Sequence, residues 1–126
     1  MFEASFPVKR TNRRFSFFAR VEIILDEQTS VPAQLSELSS RGCYVQALEP
    51  ISIGTELSLR ICDGRSTCEV PGEVIYMHSA NGLGVFGIGV RFGEMAVEQR
   101  SIIDRWLHEL DSKHKFRAGD DSRVGE

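Results

Sequence analysis

Two short stretches carry the side chains best suited to chemistry. The first, KRTNRR at residues 9–14, holds Lys9, Arg10, Arg13 and Arg14, and Arg10 and Arg14 form an R-x-x-x-R pair. Arginine presents a planar fork of donors that meets phosphate oxygens, or the O6 and N7 edge of guanine, through two parallel hydrogen bonds. Its flat face also stacks on a purine, whereas lysine supplies only a point charge. The second stretch, ELSSRG at residues 37–42, has the form acid-x-Ser-x-x-Gly. A carboxylate at Glu37 can accept from guanine N1–H and N2–H, Ser39 offers a hydroxyl, and the bare backbone at Gly42 admits a close ligand. Taken alone, the arginine pair reads as a solvated basic flank. Beside the second stretch it becomes the donor half of a guanine reader whose acceptor half lies on a sheet edge.

Other chemistry finds little support. His78, His108 and His114 stand at no metal-ligand spacing with cysteine or carboxylate. Ser39 and Cys43 lie in no nucleophile signature, and most carboxylates occupy solvent-facing strand positions. The glycine-rich NGLGVFGIG lacks the lysine and Ser/Thr of a phosphate loop, so it reads as a hairpin followed by a strand with close backbone approach at Gly87 and Gly89. No catalytic residue, metal site or cofactor is therefore expected.

The elements that must position these residues are mostly strands. FSFFARVEIIL, residues 15–25, alternates with a period of two, placing Phe15, Phe17, Ala19, Val21, Ile23 and Leu25 on one side. VPAQLSEL, CYVQAL after Gly42, TELSLRIC, a strand over about residues 66–77, and VFGIGVRF add five more. DGRS between the fourth and fifth predicts a tight hairpin, Pro71-Gly72 a bulge or bend, and HSANGLG, with His78, a loop. The pattern then turns helical. Met95, Ile102, Ile103, Trp106, Leu107 and Leu110 fit one amphipathic helix. These signals predict an all-β domain, a small six-stranded antiparallel barrel capped by one C-terminal helix over residues 9–111. A flexible start at 1–8 and a disordered tail at 112–126 complete the expected organisation.

Charge narrows the class of partner. Residues 1–14 carry a net +3, residues 15–111 a net −7 and residues 112–126 a net +1, within a chain of 126 residues and net −3. An acidic body disfavours a general nucleic-acid or membrane binder, and a small basic cluster on it suits a discrete anion. No apolar run reaches a membrane span, and MFEASFPVKR lacks the pattern of a secretion signal. With three cysteines and no CxxC spacing, reduced thiols and a cytoplasmic location are expected.

Together the two stretches resemble the signature motifs of the PilZ domain family, R-x-x-x-R and (D/N)-x-S-x-x-G, whose members bind the bacterial second messenger cyclic di-GMP. Downstream, GEVIYMHS resembles the family's late strand and GIGVRFGEM the strand before its last helix. The resemblance covers about residues 9–110. It implies a six-stranded antiparallel barrel with a C-terminal helix, with cyclic di-GMP as ligand. It implies that Arg10 and Arg14 hold guanine edges and phosphates, that Ser39 and Gly42 lie against the nucleotide and that Tyr76 flanks it. Arg13 belongs to the same basic cluster, and Lys9 is either suited to a second, stacked nucleotide or simply solvated. The chain departs from the motif at Glu37, where the family has Asp or Asn; the extra methylene carries the carboxylate roughly 1.5 Å further out. The implied function is a receptor or adaptor that changes conformation on binding the messenger and signals to an unidentified protein target, as a monomer or a homodimer. The alternative within the family is a protein-interaction adaptor that binds no nucleotide. A barrel binding single-stranded nucleic acid is disfavoured by the acidic body.

Overall fold

The computed structural model describes residues 13–80, 82 and 84–124. Among these, six strands and one helix follow in chain order: β1 (Phe15–Ile24), β2 (Ser30–Leu38), β3 (Gly42–Ala47), β4 (Glu56–Cys62), β5 (Thr67–Ala80), β6 (Val85–Phe92) and α1 (Val97–Val124). Every ladder is antiparallel, and the sheet closes as β1-β2-β3-β6-β5-β4, with β4 pairing back onto β1. Closure leaves no full-length free edge and surrounds a single core. No helix of the described residues is long and apolar enough to cross a membrane.

Alternation accounts for most of the core. Ala19, Val21 and Ile23 of β1 point inward while Arg20 points out, and Leu57, Leu59 and Ile61 do the same on β4. The β4–β5 hairpin turns through Gly64 at φ 96°, and Asp63 Oδ1 accepts from the backbone N–H groups of Arg65 (2.8 Å) and Ser66 (2.7 Å). The helix covers one end of the barrel. Ile103 and Trp106 are buried there, with the Trp106 ring 5.2 Å from that of Phe17. The Gln99 side-chain oxygen accepts from the Glu69 backbone N–H at 2.6 Å, tying the first turns of α1 to β5.

Three local expectations change. His78, expected in a loop, lies within β5 opposite Gly87, because the ladder to β6 continues to Ala80. Pro71-Gly72 forms a crossing point and not a bulge: β5 pairs with β4 through Glu73 and with β6 from Gly72 onward. A Cβ at Gly72 would meet Val90 Cγ1 at 2.6 Å, so the crossing requires a bare backbone. The helix also runs to Val124, past Ser112, where an unstructured tail was expected. No proline falls between Val97 and Val124, so nothing blocks the helical hydrogen-bond ladder. The expected flexible start at 1–8 lies outside the described residues, as do Lys9 and Arg10.

Because Trp106 plugs the barrel end, Trp106→Ala is expected to lower stability by about 3–5 kcal/mol. Urea unfolding followed by circular dichroism measures this loss, with an unchanged slope indicating that the same surface unfolds.

Candidate functional site

Three register slips build the site. They fall between Ser16 and Ala19 in β1, between Leu35 and Glu37 in β2, and between Val74 and Tyr76 in β5. Each places one extra residue in its strand; those in β2 and β5 reverse the side-chain parity beyond them, while β1 alternates unbroken through its slip. Leu35 is fully buried, and strict alternation would send Glu37 inward with it. The extra residue at Ser36 turns Glu37 out and Leu38 in. In the same way Ile75 is the extra residue on β5, so Val74 is buried while Tyr76 is 38% exposed. The outcome is one cross-strand row on the outer face: Ser16 opposite Glu37, Glu37 opposite Tyr44, Tyr44 opposite Gly89, and Gly89 opposite Tyr76.

Glycines in β6 seat the aromatic rings of this row. A Cβ at Gly89 would meet the Tyr76 ring at 2.5 and 2.6 Å. One at Gly87 would collide with the Tyr44 hydroxyl and meet His78 Nε2 at 2.6 Å. Tyr44, Tyr76 and His78 therefore lie over bare backbone, with centroids 5.8–6.1 Å apart. Tyr44 Oη and His78 Nε2 form a hydrogen bond of 2.8 Å, whose donor depends on the imidazole tautomer. Burial, with Tyr76 and Glu37 adding to it, pushes the Tyr44 phenol up, so it stays protonated at neutral pH.

The turn from β2 to β3 forms the neighbouring wall. Ser39 is buried, its N–H donates to the Gly42 carbonyl at 2.9 Å, and its Oγ accepts from the Gly42 N–H at 3.2 Å. The same hydroxyl lies 3.2 Å from the Gly42 carbonyl, to which it donates. Ser39 thus holds the turn together. A Cβ on Gly42 would run into the Val90 carbonyl oxygen, so the glycine lets β3 and β6 close.

The two described arginines ahead of β1 diverge by alternation. Arg14 shares the outward parity of Ser16, and its guanidinium lies 3.5 Å from Glu37 Oε1, with both side chains substantially exposed. Arg13 shares the parity of Phe15. It stacks over that ring at 5.0 Å and lies 3.6 Å from Asp111 of α1. Of the residues singled out by sequence, Arg14, Ser39, Gly42 and Tyr76 line one open groove of about 260 Å³, and Glu37 flanks Arg14. Arg13 is directed away from it, and Lys9 and Arg10 lie outside the described residues. Sequence reasoning missed Arg41, Tyr44 and Arg91, which line the same groove. Tyr44 was legible in principle: Cys43 and Val45 are inward, so the aromatic residue between them faces out.

The geometry permits an aromatic ring to rest on Tyr76 while the Arg14 guanidinium and the Glu37 carboxylate address its edge. Cys43, the nearest thiol to the groove, is buried, and burial pushes its pKa well above the usual thiol range, leaving it protonated. The glycine seat is testable. Gly89→Ala is expected to destabilise the wild type, and more weakly a Tyr76→Ala background, giving a coupling of about 0.5–3 kcal/mol in a double-mutant cycle of denaturant midpoints.

Comparisons with known proteins place the fold. No curated protein matches the chain by sequence. Among solved structures, the chain is similar to the PilZ domain, with c-di-GMP, of YcgR from Escherichia coli, at 14% identity and a TM-score of 0.70, covering 88% of this chain and 98% of that one. It is similar to the inhibitor of motility MotI/DgrA of Bacillus subtilis at 15% identity and a TM-score of 0.67, covering 82% of this chain and 52% of that one. The PilZ domain of CeSA from a cellulose-synthesizing bacterium matches at 20% identity and a TM-score of 0.58, covering 79% of this chain and 98% of that one. At such identities the likeness establishes the barrel-and-helix fold. The family model of the PilZ domain matches residues 8–109, and with most of its length so matched the chain belongs to the PilZ domain family.

Proposed function

We propose that the protein is a non-catalytic receptor for cyclic di-GMP, with the nucleotide seated on the outer face of the barrel. The observation that carries this reading is the convergence of Arg14, Glu37 and Tyr76 on one face beside the Ser39–Gly42 turn. Arg14 supplies a guanidinium for the guanine edge or a phosphate, and Tyr76 a ring face for the base. Glu37 accepts from guanine N1–H and N2–H. Arg10 and Lys9, preceding Arg14 in sequence, add further positive charge, and binding of the nucleotide changes the surface offered to a protein target. The likeness to a PilZ domain solved with c-di-GMP supports the ligand class.

A second reading, a nucleotide-free adaptor, is favoured by one observation. Glu37 already pairs with Arg14, so the arginine has a counter-ion without any ligand. Calorimetric titration with cyclic di-GMP separates the two readings. Binding with strong discrimination against cyclic di-AMP is expected, because adenine lacks the O6 acceptor and the N1–H and N2–H donors of guanine. Absence of heat with cyclic di-GMP would leave the adaptor reading.

Arg14→Ala is expected to weaken binding by roughly 1.5–3 kcal/mol, about ten- to hundredfold, the range for hydrogen bonds to charged groups. Its melting temperature should stay unchanged, since the side chain is 68% exposed. Glu37→Asp is expected to tighten binding. The shorter side chain withdraws the competing carboxylate from Arg14 and restores the family's reach. A clear loss of affinity in that variant, with circular dichroism unchanged, would show that the site is built around glutamate.

A further inference from the structure

The cross-strand row that carries the site has an order. It runs Glu37, Tyr44, Gly89, Tyr76, on β2, β3, β6 and β5 in turn. Neighbouring strands lie about 4.8 Å apart, so Glu37 is one strand from Tyr44 and three strands, roughly 14 Å, from Tyr76. Arg14 stands on the Glu37 side, 3.5 Å from its carboxylate. Tyr44 therefore lies between these charged groups and the Tyr76 ring. Both phenols line the groove, 6.1 Å apart between centroids and inclined by 40°. A flat base lying on one ring thus meets the other at an angle, and a base whose edge is held by Glu37 passes over Tyr44 first.

We propose that Tyr44 is a further base-contacting residue, the ring face beside Tyr76 on which the guanine nearest Glu37 lies, and that His78 is the positioning residue that holds Tyr44 there. His78 sits opposite Gly87 on β5, and its Nε2 lies 2.8 Å from Tyr44 Oη. The two ring planes differ by 25° and their centroids are 5.9 Å apart, so the hydrogen bond joins edge to edge and covers neither face. A Cβ on Gly87 would collide with the Tyr44 hydroxyl, so the bare backbone is what lets the phenol reach the imidazole. A ring pinned at its hydroxyl is already ordered before a base arrives, and preorganisation of this kind lowers the entropy that binding must offset. The inference rests on the reading of the protein as a nucleotide receptor and deepens it, since neither residue belongs to the motifs that suggested the ligand.

Tyr44 and Tyr76 are the chain's two tyrosines, so protein labelled at tyrosine alone reports these two rings in a magnetic resonance spectrum. On titration with cyclic di-GMP the ring protons of both should move upfield, as protons facing a stacked purine do. In calorimetry Tyr44→Leu should weaken binding roughly five- to hundredfold, the range for losing one base–aromatic stack. Tyr44→Phe keeps the ring and removes its bond to His78, for an expected loss of about two- to tenfold. His78→Ala should weaken binding by a similar factor in the wild type and hardly at all in the Tyr44→Phe background, a non-additivity in affinity that a role in fold stability alone would not produce. A shift confined to Tyr76, or an affinity indifferent to Tyr44→Leu, would overturn the role of Tyr44. Additive losses from Tyr44→Phe and His78→Ala would overturn that of His78. Should Tyr44→Leu fail to fold, the tyrosine shifts of the unaltered chain decide. Binding that Arg14→Ala abolishes and Tyr44→Leu spares would remove this inference alone, whereas a wild type that takes up no cyclic di-GMP would remove the receptor reading with it.

Discussion

The outer face of this barrel depends on two single-residue insertions in the strand ladders, at Ser36 in β2 and Ile75 in β5. In an antiparallel sheet the side-chain period is two, so a residue's face is set by its distance from the last core residue. Without the insertions at Ser36 and Ile75, Glu37 and Tyr76 would fall on the inward parity of Leu35 and Val74. A carboxylate and a phenol would then compete for the core, at a cost no nearby partner offsets. The bulges resolve this conflict and create the site in the same step, since both displaced side chains land on one cross-strand row.

That row is flat because β6 is glycine-rich. The rings of Tyr44, Tyr76 and His78 rest where Cβ atoms at Gly87 and Gly89 would otherwise stand. The turn that borders it is equally constrained. Ser39 completes its hydrogen bonds inside the turn, and Gly42 lets β3 reach β6. Two residues of the sequence motif therefore have a structural reason to be what they are, independent of any ligand. Their contribution to the site is the shape and rigidity of its wall. Arg14, Glu37 and Tyr76 are the side chains left with exposed functional groups.

The arginines divide between separate tasks. Arg13 joins the strand to α1 through Asp111 and Phe15, Arg14 turns to the outer face, and Arg100 locks the helix start to the turn through the Ser40 carbonyl. Arg41 and Arg91 line the groove beside the turn, Arg91 paired there with Glu73. Counting basic residues along the chain located the cluster at 9–14 but not Arg41 and Arg91, which are separated by many residues in sequence and meet only in the closed barrel.

The sequence by itself determined the six strands, the capping helix and the motif residues. Alternation and helical spacing are local properties, and the buried residues of β1, β4 and α1 fall where that spacing puts them. It also determined the tight Asp63-Gly64 turn, whose chemistry lies within four residues. Only the tertiary structure decided which way Glu37 and Tyr76 face. A bulge is a mismatch between two strands and has no signature in either strand alone. It likewise decided that β5 changes partners at Gly72, that His78 belongs to the sheet, and that Arg41 and Arg91 share a groove. Each of these follows from cross-strand register and barrel closure, which join residues far apart in sequence and which no local period encodes.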